Sequence, residues 1–276
     1  MSDATPEELS LHEVAEILDV HYMTAYRYVR LGMLPARREG RSWRIRRDDL
    51  DEYLSEDEPR TRRGEADWGD RFFNRVLAAD EAGAWGVVEA ALSSGMTIPE
   101  AYPSLLAPTM RRIGELWAAG ELDSANEHAA SEVVSRIVAR LGPRLARRGV
   151  RRGTVVLGST ATELHSLPLA MATDLFRAAQ FDAVDLGAYL PPESFAAFVA
   201  ETDDLVAVAV GVTTPGQKDE LGKTLAAIRS VTDVPIVIGG GGVDEEVALE
   251  LGADGWAQTG DEAVELVDAL LSSSDE

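Results

Sequence analysis

The spacing of apolar residues changes three times along the chain, and each change marks a different kind of element. In LSLHEVAEILDV, Leu11, Val14, Ile17 and Leu18 recur at helical spacing behind Ser10, with Glu13 three residues on, the arrangement of a capping box. HYMTAYRYVRLGML predicts a second helix ending at Gly32. PARREGRSWRIRRDDLDEYL predicts a short β-hairpin through Gly40 and Arg41, followed by a third helix. Helix, tight turn, helix and basic hairpin make a winged helix-turn-helix. A polar stretch with Pro59 and Gly64 then reads as a linker. From Gly69 to Arg148 the pattern is helical and rich in Ala and Leu, broken near Gly83, Gly95 to Pro99, Tyr102 to Pro103 and Gly120. It predicts a four-helix bundle with helices at about 72–82, 84–94, 98–118 and 124–147.

From Thr154 the period changes again. TVVLGS, FDAVDLG, LVAVAVGV, VPIVIGGGG and ADGWAQT are strand-length apolar runs, each followed by a helix-like segment. Near-continuous apolar strands alternating with helices imply a parallel sheet covered on both faces, a flavodoxin-like (Rossmann-like) five-stranded α/β domain. The expected division is 1–58 for the winged helix-turn-helix, 59–68 for the linker, 69–149 for the bundle and 150–276 for the α/β domain.

Composition removes several function classes. The chain has no Cys, so it offers no disulfide framework, thiolate metal site or cysteine nucleophile. Its start, MSDATPEELS, is polar and acidic, and no apolar run approaches the ~20 residues that span a bilayer. The expectation is a cytoplasmic protein with no membrane partner. A net charge of −22 argues against nucleic acid for the chain as a whole. Between His21 and Arg47, however, eight Arg face one acid, Glu39. This basic island predicts double-stranded DNA as partner, with Tyr22, Thr24, Ala25 and Arg27 in the major groove and wing residues such as Arg41 and Arg44 on phosphates. Trp43 is expected under the wing, in the core. Residues 151–276 carry 22 acids against six Lys or Arg and should repel phosphate.

A parallel α/β sheet binds ligands beyond the carboxyl ends of its strands, which directs attention to the loops TATELHSLP, GAYLPP, TTPGQ and GGGGV. His165 in the first loop is suited to a metal, with Glu163 orienting its other ring nitrogen, or else to packing on the sheet rim. The glycines at 239–242 form no GxGxxG motif after the first strand; a bulky or planar group resting close to backbone would also explain them. In LWAAGELDSANEHAAS, Trp117 suits a bundle core, Glu127 suits a capping box begun by Ser124, and His128 suits the surface.

Residues 10–54, including Ala15, Tyr26, Gly32, Leu34, Pro35, Gly40, Trp43 and Ile45, resemble the excisionase-like and MerR-like helix-turn-helix family. A bundle with Trp117 and the Glu127-His128 pair, followed by an α/β domain whose first loop carries Glu163-Leu164-His165, is similar to cobalamin-binding sensor modules. The whole arrangement resembles the CarH-type, adenosylcobalamin-dependent photoreceptor repressors. That resemblance implies that Trp117 packs over the upper face of the cofactor, Glu127 contacts the adenosyl group and His128 takes the upper axial position once that group is lost. It makes His165 the lower ligand to cobalt with Glu163 behind it, and places Thr213, Gly239 and Gly240 along the nucleotide tail. It implies a homo-oligomer, dimer or tetramer, that binds its operator in the dark and leaves it in light. Pro168 stands where the family has Gly. Proline is accepted in the first turn of a helix, so the fold should survive, while the lower-face fit should change.

Two other function classes stay open. One is a repressor of the same architecture whose ligand is another planar group, haem or a bilin, or none. The other is a corrinoid carrier of methyl-transfer metabolism. The basic arm and the absence of a separate catalytic domain favour a regulator over an enzyme.

Overall fold

The computed structural model describes residues 8–18, 25, 28–29, 34–39, 42–56, 68–145, 149 and 151–274. These group into two compact units. One holds the chain up to Ala90 together with Thr109–Val133, and the other holds Ala91–Pro108 and the chain from Val134 onward. Among the described residues no helix is long and apolar enough to cross a membrane.

The first unit opens with strand β1 (Glu8–Ser10), which the periodicity does not predict, running directly into the helix Leu11–Ile17. Glu13 N donates to Ser10 Oγ at 3.3 Å and Ser10 N donates to the Glu13 carboxylate at 2.8 Å, so the capping box forms as its spacing predicts. Leu11 and Val14 are buried, but Ala15 takes the inward place expected of Ile17, which is exposed. Strands β2 (Arg37–Glu39) and β3 (Ser42–Arg46) form the expected antiparallel wing, and β1 adds to β3, giving the order β1-β3-β2. Alternation along β3 turns Ile45 fully inward and rests Trp43 against the same core. The helix Arg47–Glu56 follows directly. Ala25 joins this core with Tyr28, Val29, Leu34 and Leu50. A buried methyl cannot meet a base edge, so Ala25 is not a major-groove contact.

In the same unit the helix Trp68–Leu77 buries Phe72, Phe73, Val76 and Leu77. It starts earlier than the apolar pattern suggests and ends earlier too, because the break lies at Ala79 (φ 54) and Asp80 rather than at Gly83. Asp80 Oδ1 accepts from Gly83 N at 2.9 Å and so starts the helix Glu81–Ser93.

The expected helix over 98–118 is three pieces: Ile98–Ala101, a π turn at Tyr102–Leu106, and Ala107–Ala118. Pro103 has no N–H for an ordinary helical bond, and Ala107 N donates five residues back to Tyr102 O. The last helix, Ser124–Leu141, stops at the Gly142–Arg144 turn, short of the expected 147. Pro143 explains the stop.

The second unit contains the predicted parallel sheet: β4 (Thr154–Ser159), β5 (Asp182–Asp185), β6 (Leu205–Gly211), β7 (Ile236–Gly239) and β8 (Gly255–Ala257), in the order β5-β4-β6-β7-β8. The paired cores follow strand alternation. Val155, Leu157, Ala207 and Ala209 meet Leu169 and Phe176 from the helix Leu167–Ala178 and Val267 from the helix Gly260–Ser274. Val156, Val208, Val210 and Ile238 meet Phe195 from Pro192–Ala200 and Leu221 and Leu225 from Lys218–Arg229. The order reverses between β4 and β6, which makes the loops after these two strands the expected ligand end.

Within this unit Tyr102 Oη donates to buried Asp174 Oδ2 at 2.7 Å, and Arg177 Nη1 reaches Asp174 Oδ1 at 3.3 Å. Burial pushes the Asp174 carboxyl above its usual range. Tyr102→Phe removes the shorter of these bonds from a buried acceptor. The expected cost is about 1–3 kcal/mol, read as a fall of several degrees in the thermal midpoint; an unchanged midpoint would show that the pair contributes nothing.

Candidate functional site

The loops after β4 and β6 meet at one fully buried side chain, Glu163. Its Oε2 accepts from Thr213 N at 2.7 Å, Thr214 N at 2.8 Å and Gln217 Nε2 at 3.0 Å. Its Oε1 accepts from His165 N at 3.0 Å and Thr214 Oγ1 at 3.2 Å, and lies 2.6 Å from His165 Nδ1. Burial pushes the Glu163 carboxyl up, but the donors from His165, Thr214 and Thr213 outweigh it and hold the group down at about 2. An ionised Glu163 only accepts, so His165 Nδ1 must carry the proton toward it, and the tautomer this selects for the neutral ring has its lone pair on Nε2. The His165 side chain is 57% exposed. The site therefore offers one oriented imidazole nitrogen at the carboxyl end of the sheet.

Gln217 fixes the orientation further. Its Oε1 accepts hydroxyls from Thr160 and from Thr162, the latter at 2.8 Å, so its amide nitrogen turns toward Glu163. Thr213, expected along a nucleotide tail, is seen to act through its main-chain N–H. Pro168 occupies the first turn of the helix Leu167–Ala178, which accepts it as expected.

Beyond β7, Gly240 has φ +103, and a Cβ there would stand 2.5 Å from Val212 O; one on Gly242 would stand 2.6 Å from Thr214 O. These two glycines let the GGGGV loop press against the loop after β6, whereas Gly239 and Gly241 have open space at the Cβ position. A groove of about 490 Å³ lies beside them, lined by Gly241, Gly242, Trp256, Lys218 and Gln258 among others.

In the first unit Trp117 is 51% exposed, so it is not the core residue its helix suggested. Its Nε1 donates to Ser124 Oγ at 3.2 Å. The cap of the helix Ser124–Leu141 is Asp123, whose Oδ1 accepts from Asn126 N at 2.9 Å, so Glu127 is not spent on a capping box with Ser124. Glu127 Oε1 accepts instead from Ser131 Oγ at 2.7 Å, and its other oxygen lies 3.5 Å from Nε2 of His128, an exposed side chain. Among the predicted DNA contacts Arg44 is on β3, whereas Tyr22, Thr24, Arg27 and Arg41 lie outside the described residues. Neighbouring wing arginines are engaged within the protein: Arg37 with Glu8, Arg46 with Asp48 and Arg47 with Asp51.

Among the described residues no three His, Asp or Glu side chains gather as a metal centre. The donor set at His165 fits a metal that brings its remaining ligands with it, as in a corrin.

Comparison with known proteins agrees with this donor set. Two family models, both described as a B12 binding domain, match residues 68–141 and 153–268, and a helix-turn-helix domain model matches residues 8–57. A corrinoid protein of Desulfitobacterium hafniense is 27% identical over 208 residues, covering 73% of this chain and 96% of that protein. Trimethylamine corrinoid protein 2 of Methanosarcina mazei is 26% identical, covering 72% of this chain and 93% of its own. The solved structure of the Methanosarcina barkeri monomethylamine corrinoid protein shares the fold, with a TM-score of 0.63 at 21% identity over 74% of this chain and 97% of that one. Fold and matches together fit the architecture of a B12-binding transcription regulator, and they support cobalamin binding.

The Glu163 network predicts a particular acid response. Its folded-state value lies below the usual 4.5, so its stabilisation is fully present above about pH 4.5 and is lost as pH falls toward 2. Glu163→Gln should lower stability at neutral pH and flatten the decline between pH 4.5 and about 2 in thermal melts. Parallel acid limbs in the two proteins would contradict the network.

Proposed function

We propose that this protein is a DNA-binding repressor that takes adenosylcobalamin as chromophore and releases its operator in light. The observation that carries the reading is the Glu163-oriented imidazole of His165 at the ligand end of the sheet. Bound adenosylcobalamin would supply a light-sensitive cobalt–carbon bond. His165 offers Nε2 to the metal, and Glu163 accepts from Nδ1 and holds the ring oriented. On the resemblance to CarH-type repressors, Trp117 offers an exposed indole to the upper face and Glu127 a carboxylate that no helix cap consumes. On the same resemblance the exposed His128 would be a second imidazole available to the metal in the light form. Trp117, Glu127 and His128 would then make different contacts in darkness and in light, and that difference would shift the oligomer from a larger dark form to a smaller one. A small helix-turn-helix arm depends on such assembly for affinity, so the operator is released through lost avidity. The protein acts in this reading as a regulator rather than an enzyme, and its partners are double-stranded DNA and further copies of itself.

A second reading, a corrinoid carrier in methylamine metabolism, has the names of the relatives in its favour. It leaves the helix-turn-helix match at 8–57 without a task.

The light-controlled reading is tested on the full chain loaded with adenosylcobalamin, by size-exclusion chromatography and gel shift in darkness and after illumination. The dark form should elute larger and bind DNA; identical elution and identical affinity in both would sink the photoreceptor role even with cobalamin bound. His165→Ala should lose the histidine-ligated spectrum or most cobalamin affinity, whereas His128→Ala should bind normally in the dark and alter only the illuminated product. For DNA, Arg44→Ala should weaken binding and reduce the slope of log affinity against log salt by about one unit. An unchanged slope would remove Arg44 from the phosphate contacts.

A further inference from the structure

Two large apolar side chains stand in solvent on the loops that flank His165. Leu164, its chain neighbour, is 72% exposed, and Tyr189, in the loop after β5, is 67% exposed. Tyr189 also holds a backbone conformation that a bulky aromatic rarely adopts, with φ 59. Two anchors impose it. Tyr189 N donates to Glu163 O at 2.8 Å, and the adjacent Leu190 packs inward on the sheet core, where Gly158 leaves it room. The turn thus packs Leu190 partly buried against the core, ties its main chain to the residue two before His165, and puts the phenol ring outside. Strain spent on holding an aromatic ring in water serves the fold poorly, since any residue at 189 with a main-chain N–H could make the same bond.

We propose that Leu164 and Tyr189 form an apolar ledge that supports the face of the corrin ring turned toward His165. The inference rests on the reading that His165 ligates a corrinoid. A broad planar group held at Nε2 would reach the side chains that flank the imidazole. The flanking groups here are an isobutyl and a phenol ring, which suit the largely apolar flat of a macrocycle and not a hydrated ion or a free anion. Covering them removes apolar surface from water and shields the metal–Nε2 bond from solvent. Both are positioning residues.

The test uses the full chain in darkness with adenosylcobalamin as probe, titrated by its visible spectrum, together with thermal melts of the protein without cobalamin. Tyr189→Gly and Tyr189→Asn both accept left-handed backbone, so each should melt at or above the parent temperature while binding about tenfold more weakly. Leu164→Ser should bind several-fold more weakly, and Tyr189→Phe should bind like the parent, because the ring and not the hydroxyl provides the contact. The spectrum of the bound form should stay histidine-ligated in all of them, which separates a lost ledge from a lost ligand. Parental affinity in Tyr189→Gly and Tyr189→Asn would overturn the ledge while leaving cobalamin binding intact. A parent protein that produces no spectral change with cobalamin would overturn the ledge and the reading beneath it together.

Discussion

The buried charge of Glu163 is the constraint from which the site follows. A carboxylate cut off from water is tolerated only when its lone pairs are met by donors, and here the main chain of the loop after β6, the Gln217 amide and both the main chain and ring of His165 meet them. Loss of any of these donors leaves the buried charge less well met, so the network ties the two loops to each other. The imidazole inherits that order. Its tautomer and its orientation are consequences of the acid behind it, and the acid's own ionisation is a consequence of the loop that wraps it.

That wrapping falls where the strand order reverses, between β4 and β6. Strands β4 and β6 are neighbours in the sheet but are separated in sequence by β5, and the register that sets Ser159 beside Gly211 brings their following loops side by side. The same geometry explains where glycine is required. Gly240 and Gly242 come within reach of Val212 O and Thr214 O, and any side chain there would push away the loop that carries the donors to Glu163. Gly239, in open space, carries no such demand. A run of four glycines, uniform in sequence, is therefore two close-approach positions and two spacers.

Much of the fold was legible because its signals are local and redundant. Ser10 and Glu13 declare a capping box, the apolar runs declare the strands, and Glu163 and His165 are near enough in sequence for their pairing to be guessed. The misreadings come from competition between adjacent residues that local pattern cannot rank. Asp123 and Ser124 are both competent caps; the structure gives the cap to Asp123 and turns the Ser124 hydroxyl to Trp117, which changes what Glu127 is for. Ala79 and Asp80 end a helix that Gly83 had suggested would run further. Gln217 and the φ of Tyr189 carried no legible signal, because each acquires its meaning from a loop far away in sequence.

A site built around one imidazole also limits what the ligand has to be. A single Nε2 donor holds a bare divalent ion weakly, and no further His, Asp or Glu cluster among the described residues stands ready to complete a shell. A metal held at His165 would then bring its remaining ligands with it. The sheet domain supplies that one imidazole in a fixed orientation, because Glu163 holds both the main chain and the ring of His165. Trp117, Glu127 and His128, in the first unit, are held without any such buried acid: Trp117 donates to Ser124 of the following helix, Glu127 accepts from Ser131, and the exposed His128 lies beside Glu127.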